Sequence, residues 1–162
     1  MKFEHAQRYR LDTRTDSYTV IGPDGVPHFT APATTRIPKL YVISLAGVPG
    51  YIGITSQSVS SRLRFGLRAI GQHGYHGYRW RNQRSLALDI WCLTGAPSNR
   101  ASIEIKSIEA EVVFLIRQQF DQWPEFQTEI HFYPSKSFHR DAAARVLRHL
   151  AATPRRQESS VQ

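Results

Sequence analysis

Runs of apolar residues, separated by turn residues, divide the chain into short strands and longer amphipathic helices. Strand composition predicts strands at residues 40–45, 51–54 and 86–93, and the last is the most apolar and therefore predicted to be central. Apolar residues at helical spacing predict a helix that begins near Gln57 or Ser58, reaches Ile70 and is terminated by Gly71.

Less regular patterns surround these elements. Residues 107–120 predict a buried helix, residues 128–133 a late strand, and residues 138–152 a last helix with Ser137 as its N-cap. Residues 1–38 contain a short strand pattern at 17–21, a Gly-Pro-Asp-Gly turn and several prolines. They are predicted to be an irregular extension that adds an edge strand or covers one face. The tail after Pro154 is predicted to be disordered.

Composition limits the class of protein. The 162 residues suit one domain with a real core, and 21 Lys plus Arg against 13 Asp plus Glu give a formal charge of +8. This charge, carried mainly by arginine, favours nucleic acid as the partner, although a solvated basic surface would look the same. The single cysteine, Cys92, indicates a buried thiol rather than a disulfide or a zinc cluster. No membrane span or signal-peptide pattern is present, which favours the cytoplasm.

The segment 39–63, KLYVISLAGVPGYIGITSQSVSSRL, carries the most informative chemistry. It places Tyr41 on one strand, Tyr51 at the head of the next and Arg62 on the following helix. An arginine can clamp a phosphate, and tyrosines can hold a water molecule or transfer a proton. Each of these residues would also be ordinary as a sheet or core residue, with Arg62 extending from the apolar stripe.

The ordered series resembles the GIY-YIG nuclease family. Leu40-Tyr41-Val42 stands at the first motif, Tyr51-Ile52-Gly53 matches the second letter for letter, and Arg62 stands where such domains carry an arginine. A later helix with Glu111 resembles the one that carries the metal-binding glutamate. Pro124-Glu125-Phe126-Gln127 is similar to the closing motif, with Gln127 in place of asparagine. Lys39 replaces the first glycine, and Phe65-Gly66 stands where many members carry a histidine.

The resemblance implies an α/β (α+β) fold with a small, mostly antiparallel three-stranded sheet flanked by helices. It implies an N-terminal extension over 1–38, a nuclease-like domain over 39–134, and a C-terminal helix and tail over 135–162. Tyr41, Tyr51, Arg62 and Glu111 would be catalytic, with Glu111 binding Mg²⁺ or Mn²⁺. Glu109 lies about 200° away on the same helix and is interpreted as a solvated surface charge. Gly53 would allow a close approach of another backbone or of a ligand.

A second basic region is the loop at residues 72–84, in which arginines and histidines alternate with aromatic residues. Together with the helix before it, this loop supplies the candidate nucleic-acid-binding residues Arg64, Arg68, His73, His76, Arg79 and Arg81. A loop with Tyr75, Tyr78 and Trp80 packed inward fits the same pattern, and a zinc site on the two histidines is not expected.

The resemblance, together with the basic charge, predicts a metal-dependent endonuclease, and the resemblance alone implies DNA as the substrate, with RNA less favoured. The alternative is an inactive nucleic-acid-binding module with a degenerate site, favoured by Lys39, the missing histidine and Gln127. No separate recognition domain is visible, so specificity would come from loops, a partner or a homodimer.

Overall fold

The computed structural model describes residues 1–153. In chain order these residues form strands β1 (Lys2–Thr13), β2 (Tyr18–Ile21), β3 (Lys39–Leu45) and β4 (Val48–Thr55), helix α1 (Val59–Arg68), strand β5 (Leu86–Thr94), and helices α2 (Ala101–Phe120) and α3 (Ser137–Ala152). Short 3-10 turns lie at Pro23–Gly25 and Gln72–Gly74. No helix within residues 1–153 has the length and apolar character needed to cross a membrane.

The strands form one five-stranded antiparallel sheet in the order β2-β1-β5-β3-β4. Strand β5 lies in the middle, which confirms the prediction that the apolar run at 86–93 is central. Strands β3 and β4 form a hairpin in which Tyr41 pairs with Gly53. In this register residues 40–42 and 51–53 lie side by side on the two strands.

Each face of the sheet has its own core, because side chains alternate between faces along a strand. Helix α1 and the loop after it cover one face, where Tyr41, Leu88 and Ile90 are buried. Helices α2 and α3 cover the other face and bury Val42 and Trp91. On this second face, α2 also contacts the edge strand β4.

The expected three-stranded sheet is wrong, because β1 and β2 extend it to five strands. Strand β1 is an inner strand between β2 and β5, although the sequence indicated an irregular extension. Only Phe3, Tyr9, Leu11 and Thr13 of β1 are fully buried, and a bulge between His5 and Gln7 interrupts the two-residue alternation. The bulge obscures the alternating pattern that would identify the strand in the sequence, since one extra residue moves the following side chains to the opposite face.

The predicted late strand at 128–133 is also wrong, because this segment has no regular secondary structure. The edge of β4 is occupied instead by the preceding residues: Phe126 N donates to Gly50 O at 2.9 Å, and Gln127 Oε1 accepts from Ile52 N at 3.0 Å. Residues 128–133 then run away from β4 and do not pair with it as a strand.

The three helices are confirmed with adjusted ends. Helix α1 begins after Ser58, whose Oγ accepts a bond from Ser61 N, and it ends at Arg68. Helix α2 begins at Ala101 rather than at Ser107 and ends where Asp121 takes a left-handed conformation. Helix α3 begins at Ser137, with Lys136 as its N-cap. The predicted disorder after Pro154 falls outside the described residues.

Candidate functional site

The β3–β4 hairpin places Tyr41 in the interior of the molecule, with 0% of its surface exposed. Its ring lies across β4 at Gly53, where a Cβ atom would be 2.5 Å from both Cζ and the hydroxyl oxygen of Tyr41. The close approach expected at Gly53 is therefore made by a tyrosine side chain. Position 53 has no room for any other residue unless Tyr41 moves.

Tyr51 and two aromatic residues of the 72–84 loop complete an aromatic cluster around Tyr41. The Tyr51 ring lies 6.0 Å from that of Tyr41 and 5.4 Å, edge to face, from that of Tyr78. Trp80 stacks on Tyr78 with ring centroids 4.3 Å apart. Tyr78 and Trp80 are fully buried, whereas Tyr51 is partly exposed and forms the solvent side of the cluster.

Tyr78 is a member of the site that sequence reasoning missed as a functional residue. Its hydroxyl lies 2.9 Å from the Tyr41 hydroxyl and donates to the Arg62 carbonyl at 3.3 Å, which leaves Tyr41 as the donor between the two. The Tyr78 ring occupies the space beside Gly66, where a Cβ atom would overlap it. The sequence signal was Gly66 itself, which lies one turn after Arg62 and leaves room for the Tyr78 ring.

The Arg62 guanidinium lies beside this cluster. Its Cζ is 5.7 Å from the ring centroids of Tyr75 and Tyr78 and 5.8 Å from that of Phe65. The Nε atom of Arg62 and the hydroxyl of Tyr75 are buried without a hydrogen-bond partner, and within residues 1–153 no carboxylate lies within 4.0 Å of Arg62. A half-buried cation without an anion is a costly arrangement that a bound phosphate would relieve.

Electrostatics keep this cluster protonated. Burial raises the pKa of Tyr41, Tyr51 and Tyr78 above the ordinary tyrosine value, although the Arg62 charge opposes the shift. Burial lowers the pKa of Arg62, but the neighbouring tyrosines, Tyr41 first, outweigh it and the net pKa is raised. At neutral pH the tyrosines are therefore hydrogen-bond donors, and Arg62 keeps its charge.

Two of the three glutamates of α2, Glu109 and Glu111, differ in their relation to Arg62. Burial raises the pKa of Glu109 to about 7, and the charges of Arg62 and Lys106 oppose that rise. Glu109 is partly buried and, among the described residues, makes no hydrogen bond or ion pair, so it is not the freely solvated charge that was expected. Glu111 is also partly buried, and its side chain makes no hydrogen bond or ion pair within residues 1–153; its metal role stays a prediction.

Two residues that depart from the family pattern have structural roles. Gln127 donates from Nε2 to Glu129 O at 3.2 Å while its Oε1 accepts from β4, so it closes the edge of the hairpin. Lys39 is fully buried, and its Nζ donates to the carbonyls of Thr35 and Ile37 at 2.6 and 2.8 Å. Its ammonium therefore stabilises the turn before β3.

The candidate nucleic-acid-binding residues divide into two groups. His73, His76 and Arg79 are exposed on the loop, whereas Arg81 donates to the carbonyls of Tyr78, Ala69 and His76 and holds the loop together. Arg64 and Arg68 are exposed on α1 and, with Arg10 of β1, line a groove of about 700 Å³ between that helix and the β1–β2 hairpin, which Asp12 and Asp16 also line. The N-terminal strands thus contribute to a basic surface that the sequence did not indicate.

A separate cluster that could hold a metal ion lies on the other face of the sheet. His5 of β1, Asp89 of β5 and His149 of α3 each offer one ligand atom, and these atoms lie within 4.8 Å of one another. No sequence signal indicated this cluster, because its members are 84 and 60 positions from each other along the chain.

Comparison with known proteins found no family model that matches this chain, no matching curated protein and no matching solved structure.

Proposed function

We propose that this protein is a metal-dependent nuclease that cleaves phosphodiester bonds of DNA at the cluster formed by Tyr41, Tyr51, Arg62 and Tyr78. The observation that carries the proposal is Arg62, a half-buried guanidinium surrounded by aromatic rings, with an Nε atom that lacks a partner. The basic charge of the chain and the resemblance of segment 39–63 to the GIY-YIG nucleases support the same assignment.

Arg62 would bind the scissile phosphate. A guanidinium keeps its charge at any physiological pH and offers parallel N–H donors that match two phosphate oxygens. The surrounding rings exclude water, so the attraction between cation and anion is stronger than on an open surface. Negative charge that builds up on the phosphate during hydrolysis would then be offset by a group already in place.

Glu109 fits the role of the metal-binding carboxylate better than Glu111. It lies within the electrostatic influence of Arg62 and lacks a partner within the described residues, and burial disfavours its charged form. Mg²⁺ or Mn²⁺ suits a site with one protein carboxylate, because such ions keep several of their waters. When bound, the ion would supply Lewis acidity and a more acidic water.

The tyrosines would act as donors. Their raised pKa values keep the hydroxyl protons in place, so none of them is a strong base at neutral pH. Tyr51 is the partly exposed member and would contact the attacking water or a phosphate oxygen. The buried Tyr41 hydroxyl, which donates to the Tyr78 hydroxyl, would hold the Tyr78 side chain in position.

The test is incubation of the purified full chain with supercoiled plasmid in Mg²⁺, Mn²⁺ or EDTA. We expect nicking that needs a divalent ion and that falls by about 100-fold or more in Arg62→Lys, because lysine cannot make the bidentate contact. Glu109→Gln should abolish the divalent-ion-dependent nicking, whereas Glu111→Gln should retain most of the activity.

Arg117→Gln is the matched control for the loss of one arginine, since the Arg117 guanidinium pairs with Asp121 at the end of α2. Circular dichroism of each variant shows whether it is folded. Equal activity in wild type and Arg62→Lys would rule out this site, and loss in Glu111→Gln with retention in Glu109→Gln would transfer the carboxylate role to Glu111.

A second candidate function is an inactive nucleic-acid-binding module. The observation that favours it is the complete burial of Tyr41, which removes its hydroxyl from direct contact with a substrate. This reading predicts DNA binding that weakens with salt and no cleavage with any divalent ion. The plasmid assay therefore separates the two functions.

A further inference from the structure

We propose that His5, Asp89 and His149 form a binding site for a transition-metal ion of the Zn²⁺ type. The site lies on the sheet face covered by α3, whereas the tyrosine cluster lies on the face covered by α1. It is therefore distinct from the proposed catalytic site.

The three donor atoms converge on one point. Asp89 Oδ1 lies 3.0 Å from His5 Nε2 and 3.2 Å from His149 Nε2, and the two imidazole rings stack with centroids 3.9 Å apart. Two imidazole nitrogens and one carboxylate oxygen are a common donor set for zinc, and the fourth position is left to water. An ion would replace the two hydrogen bonds to Oδ1, with each imidazole carrying its proton on Nδ1.

Two neighbouring side chains, Arg8 and Trp91, hold these ligands in their orientation. Arg8 Nη1 donates to the other carboxylate oxygen, Asp89 Oδ2, at 3.0 Å and so keeps Oδ1 turned towards the two imidazoles. Trp91 packs edge-on against both imidazole rings and limits their rotation. Asp89 is 0% exposed, but the side chains of His5 and His149 are 25% and 31% exposed, so an ion can enter from solvent.

Ligand chemistry selects the kind of ion. Imidazole nitrogen suits Zn²⁺, Co²⁺ and Ni²⁺, whereas Mg²⁺ prefers oxygen. This site would therefore not compete for the Mg²⁺ expected near Glu109.

The ligands come from two strands and the last helix, so an ion would fasten α3 to the sheet. A ligand that binds only the folded state raises its apparent stability. Removing the ion should thus release α3 more than any other helix.

The test uses the full chain, stripped with a chelator and titrated with Co²⁺ and then Zn²⁺ in the absence of DNA. We expect one Co²⁺ per chain, with the visible absorption of a four-coordinate nitrogen and oxygen site, and displacement of Co²⁺ by Zn²⁺. Zn²⁺ should raise the melting temperature of the wild type. Both responses should be lost in His5→Gln and in His149→Gln.

His28→Gln is the control, because His28 is exposed and lies outside this cluster. Circular dichroism of the metal-free variants establishes that they are folded. Absence of stoichiometric Co²⁺ binding to the wild type, or binding that persists in both His5→Gln and His149→Gln, would overturn the proposal. Plasmid nicking is not part of this measurement, so the result stands apart from the nuclease proposal.

Discussion

Protonation of a single side chain, Glu109, should make the stability of the fold depend on pH. Burial raises the pKa of Glu109 from its ordinary value of 4.5 to about 7 in the folded protein. Between these two values the folded protein keeps a proton that the unfolded chain releases, so stability falls as the pH rises through this window. The penalty is complete above the folded pKa.

Glu109→Gln should therefore stabilise the protein above neutral pH. A shift of this size corresponds to at most about 3 kcal/mol, and partial exposure reduces it. We expect urea unfolding in EDTA to show a gain of about 1–3 kcal/mol at about pH 8 and no gain at about pH 4. Glu111→Gln controls for the loss of a carboxylate from the same helix. An equal gain at both pH values would contradict the explanation.

Some single residues of the site could be predicted from the sequence and others could not. Tyr41, Tyr51 and Arg62 follow from motif and spacing, because the hairpin and α1 are local structures, and the structure brings them together. Tyr78 reaches the site through an irregular loop, so no periodic pattern could place it. The choice between Glu109 and Glu111 depends on how α2 is rotated against β4, which the pattern of apolar residues on α2 did not determine.

At the scale of elements, β1 (Lys2–Thr13) is an inner strand of the sheet and the strand that the sequence least revealed. It pairs with β2 on one side and β5 on the other, and it buries Phe3, Tyr9 and Leu11. The β3–β4 hairpin could be predicted because its strands are apolar and glycines separate them, although its turn is Ala46-Gly47 and the Pro49-Gly50 pair lies within β4. Strand β1 could not, because its buried positions are few and shift faces at the bulge.

A chain that begins at Lys39, the start of the expected nuclease-like domain, should not fold. Burial of each large apolar side chain of β1 contributes about 2–4 kcal/mol, and three of them amount to much of a total stability of about 5–15 kcal/mol. We expect circular dichroism of residues 39–162 to show no cooperative unfolding in urea. Leu11→Ala in the full chain is the milder comparison and should cost about 2–5 kcal/mol. Cooperative unfolding of the truncated chain would show that β1 is dispensable.

At the scale of the whole molecule, the structure shows where several of the positively charged side chains lie. Arg10 of β1 and Arg64 and Arg68 of α1 line one groove together with Asp12 and Asp16, so three arginines outnumber two aspartates on this surface beside the helix that carries Arg62. Composition predicted the charge, but its concentration depends on β1 and β2 packing beside α1. A nucleic-acid backbone in this groove would also pass near the helix that holds the proposed phosphate-binding arginine.

This arrangement predicts a measurable salt dependence of DNA binding. The logarithm of the association constant falls with the logarithm of salt concentration by about 0.9 for each phosphate contact. Arg10→Gln, Arg64→Gln and Arg68→Gln should therefore each reduce the slope by about 1, and the triple variant by about 3, when a short duplex is titrated in EDTA by fluorescence anisotropy. Arg117→Gln, which removes a paired arginine elsewhere, should leave the slope unchanged. If the triple variant kept the wild-type slope, DNA would not follow this groove, and the basic charge would serve only as a solvated surface.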